Sequence, residues 1–197
     1  MGADIHLFIE YDVSCRPGWW AHVIPAIQEP KLAFSRPEFI KAFADGEFLL
    51  PPDYDVFAAL AGVRRGEGES EPLFLPRGFP TDASSDVICK HYHYVLDAGE
   101  PLLNSEWQVS REDAEMYVKS GASHYRHHPK KPHGFVSDPN WHTPTWLLAS
   151  EFRAALEHHG IDPFELSFEL GIVQRTLEEL EARCGRGRAR AVFWFDN

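Results

Sequence analysis

The segment Asp-Ile-His-Leu-Phe-Ile-Glu-Tyr at residues 4–11 alternates polar and apolar side chains over its first half. A period of two is typical of a strand with one buried face, and it places Asp4 and His6 on the same face. A second apolar run, Ala-Val-Phe-Trp-Phe at residues 191–195, has the composition of a short strand. Most predicted helices lie between these runs. We therefore expect an α+β fold with both terminal strands in one mostly antiparallel sheet, and with helices and long loops packed on it.

Sequence patterns typical of helices occur in much of the region between the two strands. N-cap residues followed by apolar residues at helical spacing predict helices over residues 35–46, 53–62, 110–119, 150–159 and 162–184. Residues 87–96 resemble a strand with His91 and His93 on one face, and residues 123–144 are predicted to be a loop. Because the chain has 197 residues and no visible repeat or shift in composition, we expect one domain over residues 1–197.

The net charge, the lack of long apolar segments and the histidine content limit the classes of function to be considered. The chain has 30 acidic and 19 basic residues and a formal net charge of −11, which argues against binding duplex nucleic acid through many phosphates. No segment approaches the roughly 18 apolar residues of a membrane helix, and residues 1–10 do not resemble a signal peptide. We therefore expect a cytoplasmic protein with no membrane partner. The 11 histidines favour proton transfer or metal binding.

Two pairs of residues with strand spacing are candidates for chemistry. Asp4 and His6 could share a metal ion or a proton, although a polar strand face in contact with solvent has the same pattern. His91 and His93 repeat this spacing, and they could present two imidazoles to one ion or simply face solvent.

His142 is a third candidate, in the segment Trp-His-Thr-Pro-Thr-Trp at residues 141–146. We expect it to be partly buried between the two bulky rings and oriented by the hydroxyl groups of Thr143 and Thr145. A buried histidine of this kind could equally be a hydrogen-bonded packing residue.

Positive charge is concentrated in two places. Residues 124–133 contain four histidines, one arginine and two lysines, which could form a phosphate clamp or an exposed loop. Arg77, held in Pro-Arg-Gly-Phe-Pro at residues 76–80, could make an ion pair or contact an anion. The common nucleotide and hydrolase motifs GxGxxG, Walker A, GxSxG and HExxH are absent. The three cysteines lack CxxC spacing, so no cysteine-based zinc site is expected.

Five segments together resemble a family of small phage and bacterial proteins. They are Met-Gly-Ala-Asp-Ile-His-Leu-Phe-Ile-Glu at 1–10, Tyr-Asp-Val-Phe-Ala-Ala-Leu-Ala-Gly-Val-Arg at 54–64, Pro-Arg-Gly-Phe-Pro-Thr-Asp-Ala-Ser at 76–84, His-Thr-Pro-Thr-Trp-Leu at 142–147 and Val-Phe-Trp-Phe-Asp-Asn at 192–197. The family typically opens MGCDIH, continues with YDLFAxLAxVR, PRGLPDD(L/V)S and HSxSWL, and often ends in FWFDN. Because the family has no established activity, the resemblance implies site positions and a phage-associated setting.

The resemblance also assigns individual positions. The family's recurring polar residues correspond to Asp4, His6, Glu10, Arg64, Arg77, Asp82, Ser84, His142, Thr145 and Asp196. Polar positions scattered through a chain suggest a site that is assembled by folding. Ala3 stands where the family usually has a cysteine, so this chain cannot use a thiol there. Residues 89–140 are outside the family pattern and are predicted to be an insert.

These residues together predict a metal-dependent hydrolase that acts on a small phosphorylated or nucleotide-like substrate. The predicted catalytic residues are Asp4, His6 and His142. A divalent ion such as Zn²⁺, Mn²⁺ or Mg²⁺ would activate water while bound by Asp4, His6, His142 and Asp196. The substrate would be bound by Arg64, Arg77, Asp82, Thr145 and Trp146.

Two other functions are compatible with the same residues. A protein that binds a nucleotide signal without chemistry, as in phage counter-defence, would use the arginines for charge and the tryptophans for stacking. An inhibitor that occupies a nucleic-acid-binding partner is compatible with the net charge of −11.

Overall fold

The computed structural model describes residues 3–12, 39–41, 47–68, 70–102, 107–124 and 134–196. The strands are β1 (Ile5–Asp12), β2 (Phe39–Lys41), β3 (Glu47–Leu49), β4 (Tyr92–Val95), β5 (Gln108–Val109), β6 (Phe135–Ser137), β7 (His142–Leu148) and β8 (Ala189–Phe195). The helices are α1 (Tyr54–Ala61), α2 (Ser85–His91), α3 (Arg111–Lys119), α4 (Ala149–His158), α5 (Pro163–Leu166) and α6 (Phe168–Cys184).

The main sheet has the strand order β2-β1-β8-β7, and β3 also pairs with β1. All of these pairings are antiparallel. β1 and β8 are paired from Ile5–Phe195 to Tyr11–Ala189, so the first and last described strands are neighbours. The predicted α+β fold with both terminal strands in one sheet is confirmed.

A second, smaller sheet has the order β5-β4-β6. β4 is parallel to β5 and antiparallel to β6. This sheet and α3 lie within residues 89–140, the stretch predicted to be an insert.

Both faces of the main sheet are buried. The odd-numbered side chains of β1 and β8 form the larger core together with α1, α4 and α6. On the other face, Phe8, Val192 and Trp194 pack against Val87 of α2. The polar side chains on this second face therefore need partners within the protein, because a buried polar group without a hydrogen bond is costly.

Three predicted helices are confirmed at α1, α3 and α4. For α1, the Asp53 carboxylate accepts hydrogen bonds from the backbone N–H groups of Asp55 and Val56, at 3.0 and 3.2 Å. Gly62 ends the helix with φ of 70°, a left-handed conformation that suits glycine.

Two predictions of secondary structure, at residues 39–41 and at the start of residues 87–96, are wrong. Phe39–Lys41, predicted as helical, form β2, because they hydrogen-bond to the edge of β1 and have aromatic and β-branched residues that suit a strand. The rest of the helix predicted over residues 35–46 lies outside the described residues. The strand predicted over residues 87–96 begins as α2, since the Ser84 hydroxyl accepts a hydrogen bond from Val87 N and caps a helix.

Two further predictions are wrong in detail. The helix predicted over residues 162–184 is interrupted at Ser167, which is extended and whose hydroxyl accepts a hydrogen bond from Leu170 N to start α6. The loop predicted over residues 123–144 contains β6 and the start of β7, because these segments pair with β4 and β8. Among the described residues, no helix has the length and apolar character needed to span a membrane.

Candidate functional site

His6 is on the second face of the main sheet, between two carboxylates. Its Nδ1 is 2.5 Å from Glu47 Oε1, and its Nε2 is 3.4 Å from Asp196 Oδ2. Glu47 belongs to β3 and Asp196 directly follows β8, so pairing of three strands brings these groups together. The His6 side chain is 24% exposed, which leaves the ring within reach of a ligand.

The two carboxylates favour the protonated form of His6. Burial lowers the pKa of His6, but the hydrogen bonds and charges of Glu47 and Asp196 outweigh burial, and the pKa is raised above 6.5. Asp196 is held in place by Asp4, whose backbone N–H donates to Asp196 Oδ1 at 3.0 Å. The backbone N–H of Asp196 in turn donates to Asp4 O at 3.1 Å. The structure thus brings the side chains of His6 and Asp196 together, and Asp4 contacts Asp196 through its backbone.

Two further histidines lie beside His6, around the ring of Trp141. The Trp141 ring centroid is 5.5 Å from those of His6 and His91, 5.9 Å from that of His93, and 5.5 Å from that of Trp194. We refer to His6, His91, His93, Trp141 and Trp194 as the histidine–tryptophan cluster. It lies where the main sheet meets α2 and the smaller sheet.

His93 repeats the pairing of a histidine with a carboxylate. Its Nε2 is 3.8 Å from Asp138 Oδ2, a distance that allows charge attraction but exceeds that of a hydrogen bond. Two histidine–carboxylate pairs therefore lie next to the Trp141 ring, one with His6 and one with His93.

His91 differs from the other two histidines because it is enclosed by rings and only 1% exposed. Its ring stacks on Phe79 at 4.5 Å and meets the Trp194 ring edge-on at 4.6 Å. Burial, with smaller contributions from the charges of His6 and His93, lowers the pKa of His91 to about 3. His91 is therefore a neutral imidazole near neutral pH.

His142 lies on the opposite face of the main sheet. It pairs with Phe195 beyond a bulge in β7, and its ring stacks on Phe195 at 5.9 Å. Phe195 packs against Phe57 of α1, whereas the neighbouring Trp194 faces His6. The four residues predicted to bind a metal are thus divided between two faces. Among the described residues, no group of three or more His, Cys, Asp or Glu side chains is placed to hold a metal ion.

Arg77, predicted to bind substrate, makes an internal ion pair. Its guanidinium donates two hydrogen bonds to the Glu151 carboxylate, at 2.7 and 2.8 Å, and lies 4.7 Å from the Trp146 ring centroid. Its backbone N–H donates to the hydroxyl of buried Thr145 at 3.1 Å. Arg77, Thr145 and Trp146 therefore contact one another, with the charge of Arg77 balanced by Glu151.

Asp82 takes part in a second ion-pair network, with Arg190. Arg190 donates to Asp82 Oδ1 at 2.8 Å and to Glu10 Oε2 at 2.9 Å. The other oxygen of Glu10 accepts a hydrogen bond from Ser84 N at 2.7 Å. This network joins the start of α2 to the main sheet. Glu10, Asp82 and Ser84 therefore have structural roles as members of the network.

The remaining predicted positions lie away from the cluster or outside the described residues. Arg64 is exposed in the turn after α1, with φ of 58°. Of the basic segment at residues 124–133, only His124 is described, in an isolated β-bridge with Val136.

Sequence reasoning did not select Glu47, Asp138 or Trp194 for the site. Glu47 is in a three-residue strand without a motif, and Trp194 is in an apolar run that predicts only a core strand. A search for carboxylates near the strands that pair with β1 would have required the sheet order.

Comparison with known proteins gives no match to a family model, to a curated protein or to a solved structure. The resemblance to the phage and bacterial family therefore stays a prediction from sequence motifs.

Proposed function

We propose that the chain is a hydrolase of a small phosphorylated or nucleotide-like substrate, in which His6 transfers a proton. The observation that carries the proposal is the placement of a carboxylate beside each nitrogen of one partly exposed imidazole. General acid–base catalysis by histidine needs a ring that is oriented, reachable and charged at the working pH. His6 is oriented by Glu47 and partly exposed, and its raised pKa favours the charged form.

Glu47 and Asp196 have different roles in the proposed reaction. Glu47 accepts the Nδ1 proton and fixes the ring orientation, which leaves Nε2 to exchange a proton with the substrate. The contact from Nε2 to Asp196 is 3.4 Å, near the long limit of a hydrogen bond, so a substrate oxygen or water could take it over. The raised pKa favours the protonated form of His6, which can donate to a leaving-group oxygen.

Trp141 provides a surface for a planar part of the substrate. Its partly exposed ring lies 5.5 Å from His6 and 5.9 Å from His93. Base stacking on an aromatic side chain contributes about 1–3 kcal/mol per base. A nucleotide stacked at this ring would have its ribose and phosphate within reach of His6.

A divalent ion is the second candidate partner for His6 Nε2. Two ligands each about 2.1 Å from a tetrahedral metal are about 3.4 Å apart, which is the separation of His6 Nε2 and Asp196 Oδ2. Glu47 would be the carboxylate behind the ring that commonly supports a metal-binding histidine. Because the described residues offer no third ligand, water and substrate oxygens would complete the tetrahedral site.

The proposal is tested by assaying untagged protein against cyclic nucleotides, nucleoside diphosphates, ADP-ribose and p-nitrophenyl phosphates. Each substrate is tested with EDTA and with added Mg²⁺, Mn²⁺ or Zn²⁺. We expect turnover that falls about 10²–10⁴-fold in His6→Gln and changes little in His142→Gln, the matched control on the opposite face. Circular dichroism establishes that both variants fold.

The outcomes separate the candidate functions. Activity that persists in EDTA supports proton transfer by His6, whereas activity that requires an added ion supports the metal-binding alternative. If no substrate is hydrolysed and bound nucleotide is recovered intact, the hydrolase proposal is overturned in favour of a binding protein. Equal activity in His6→Gln and wild type would also overturn it.

A further inference from the structure

The surface of α5 and the start of α6 has a cluster of exposed apolar side chains. Nine large apolar side chains among the described residues are exposed, and four of them fall within residues 164–172. They are Phe164, Leu166, Phe168 and Ile172, and Phe168 is the most exposed, at 79%. Single exposed apolar residues are normal, whereas a cluster of them marks an interaction surface. We refer to these four residues as the α5–α6 patch.

The patch extends across both helices because α5 packs closely on α6. Phe168 and Ile172 are four residues apart and therefore share one face of α6. Phe164 approaches this face at Gly171, where an added Cβ would lie 3.4 Å from Phe164 Cδ1. The Arg175 guanidinium lies over the same ring, 5.0 Å from its centroid. Phe164 therefore adjoins the exposed apolar face of α6, and Arg175 borders it.

The opposite side of α6 is also apolar and belongs to the larger core. It contributes the buried residues Leu170, Val173, Leu177 and Leu180. The first turns of α6 therefore have apolar side chains on two sides, and the larger core covers one of them. Because a helix that is apolar on both sides is typically buried on both, we expect a further surface to cover the patch.

The charges around Ile172 are complementary to those of a second copy of the chain. Glu169 lies three residues before Ile172 and Arg175 three residues after it, and both are exposed. If two copies of α6 pack antiparallel about a two-fold axis near Ile172, Glu169 of each copy lies at the level of Arg175 of the other. Parallel packing about a two-fold axis would instead bring like charges together. Charge complementarity therefore favours a second copy in the antiparallel orientation.

We propose that the protein forms a symmetric homodimer through the α5–α6 patch, with the two copies of α6 antiparallel. Phe168 and Ile172 of both copies form the apolar centre of this interface. Glu169 of each copy forms an ion pair with Arg175 of the other. The interface and the histidine–tryptophan cluster lie on opposite sides of the main sheet, so the inference is independent of the proposed function.

The test measures the mass of the untagged protein by sedimentation equilibrium over a series of concentrations. We expect the average mass to rise from 22.5 kDa toward twice this value as the concentration increases. The dissociation constant should be on the order of micromolar, because four side chains per copy form a small interface. A mass of 22.5 kDa throughout the series would overturn the dimer and leave the patch to a different partner.

Phe168→Glu tests whether the patch is the interface. Both copies lose the ring, so the dissociation constant should rise at least about 100-fold, ten-fold for each ring. Glutamate suits the first turn of a helix, and circular dichroism establishes that the variant folds. Met116→Glu, which alters an exposed apolar residue of α3, is the matched control and should dimerise as wild type does. Equal association of the two variants would overturn the proposal.

Two charge reversals test the antiparallel orientation. In a homodimer, Glu169→Arg places arginines at the same level across the interface and Arg175→Glu places glutamates there, so each variant alone should associate about ten-fold more weakly than wild type. In an equimolar mixture, the new arginine of one variant meets the new glutamate of the other, and the unchanged Glu169 meets the unchanged Arg175. The mixture should therefore associate as strongly as wild type. A mixture that associates no more strongly than its components would overturn the proposal.

Discussion

Arg190 and Glu10 face each other across β8 and β1, with Arg190 Nε 2.9 Å from Glu10 Oε2 and both side chains at most 2% exposed. Neither charge has access to bulk water, so each depends on the other and on Asp82 and Ser84 for compensation. This pair lies on the two central strands of the sheet, next to the apolar Phe8 and Val192 on the same face.

Glu10→Gln is expected to destabilise the fold strongly, because it leaves the Arg190 charge buried and only partly compensated. Removing one partner of a buried ion pair costs about 3–5 kcal/mol, which urea unfolding would measure. Glu157→Gln, which removes an exposed pair with Arg153, is the control and should cost less than about 1 kcal/mol. A cost for Glu10→Gln as small as that of the control would contradict a compensating role for the pair.

Glu47→Gln is expected to lower the pKa of His6. The hydrogen bond and charge of Glu47 are the largest of the effects that raise this pKa against burial, and the amide provides no charge. Titration of the His6 ring protons by NMR would measure the change. Glu115→Gln, on the exposed surface of α3, should leave the His6 titration as in wild type. An unchanged midpoint in Glu47→Gln would argue against the contact.

The Arg77–Glu151 pair is expected to stabilise the protein at neutral pH and to lose this effect in acid. Burial raises the pKa of Glu151. The hydrogen bonds from Arg77 and Leu148 N, together with the charge of Arg77, outweigh burial and bring this pKa below 4.5. A carboxylate whose pKa is lower in the folded than in the unfolded state stabilises the fold at pH values above the unfolded-state pKa. This stabilisation is lost as the pH falls through the folded-state pKa. Glu151→Gln should therefore be less stable than wild type by about 1 kcal/mol at pH 7, and the difference should shrink below pH 4.5. A difference that is constant with pH would exclude the ion pair as its source.

His91 is expected to make the protein acid-sensitive at a higher pH than Glu151 does. Its pKa is about 3 when folded, against 6.5 without the protein environment, so the unfolded chain takes up a proton first as the pH falls. Stability should decrease by up to about 1.4 kcal/mol per pH unit below this unfolded value. His91→Leu should show a shallower dependence between pH 6.5 and pH 4 in thermal unfolding at matched buffers. The facing histidines, His6 and His93, are unchanged in this comparison, so equal slopes would contradict a buried neutral His91.

The terminal strands could be predicted because their patterns are local and strong. Alternation at residues 4–11 and the apolar run at 191–195 both indicate strands, and the Asp53 and Ser110 caps mark helices. The α2–β4 junction could not be predicted in the same way. His91 ends a helix and Tyr92 begins a strand, and five successive polar and aromatic residues at 90–94 fit a strand equally well.

The candidate site could be predicted only in part, because the register of strand pairing decides which side chains meet. Asp4, His6 and Asp196 meet because β1 and β8 are neighbours, which the sequence pattern suggests. His142 would share the face of Trp146 and His6 if β7 alternated regularly. The bulge between His142 and Thr145, with φ of 50° at Thr143, shifts the register by one residue and turns His142 to the other face.

The neighbouring positions of β1 and β8 have a consequence for folding during synthesis. Glu10 and Arg190 are 180 residues apart in sequence, so a ribosome completes β1 long before the strand that covers it. Until residues 189–195 emerge, the apolar side chains of β1 lack their central partner and cannot form the native core. Contacts between such distant residues slow folding and prolong the exposure of apolar surface. We expect the nascent chain to gain its protease resistance late, in one step, and to depend on chaperones until then.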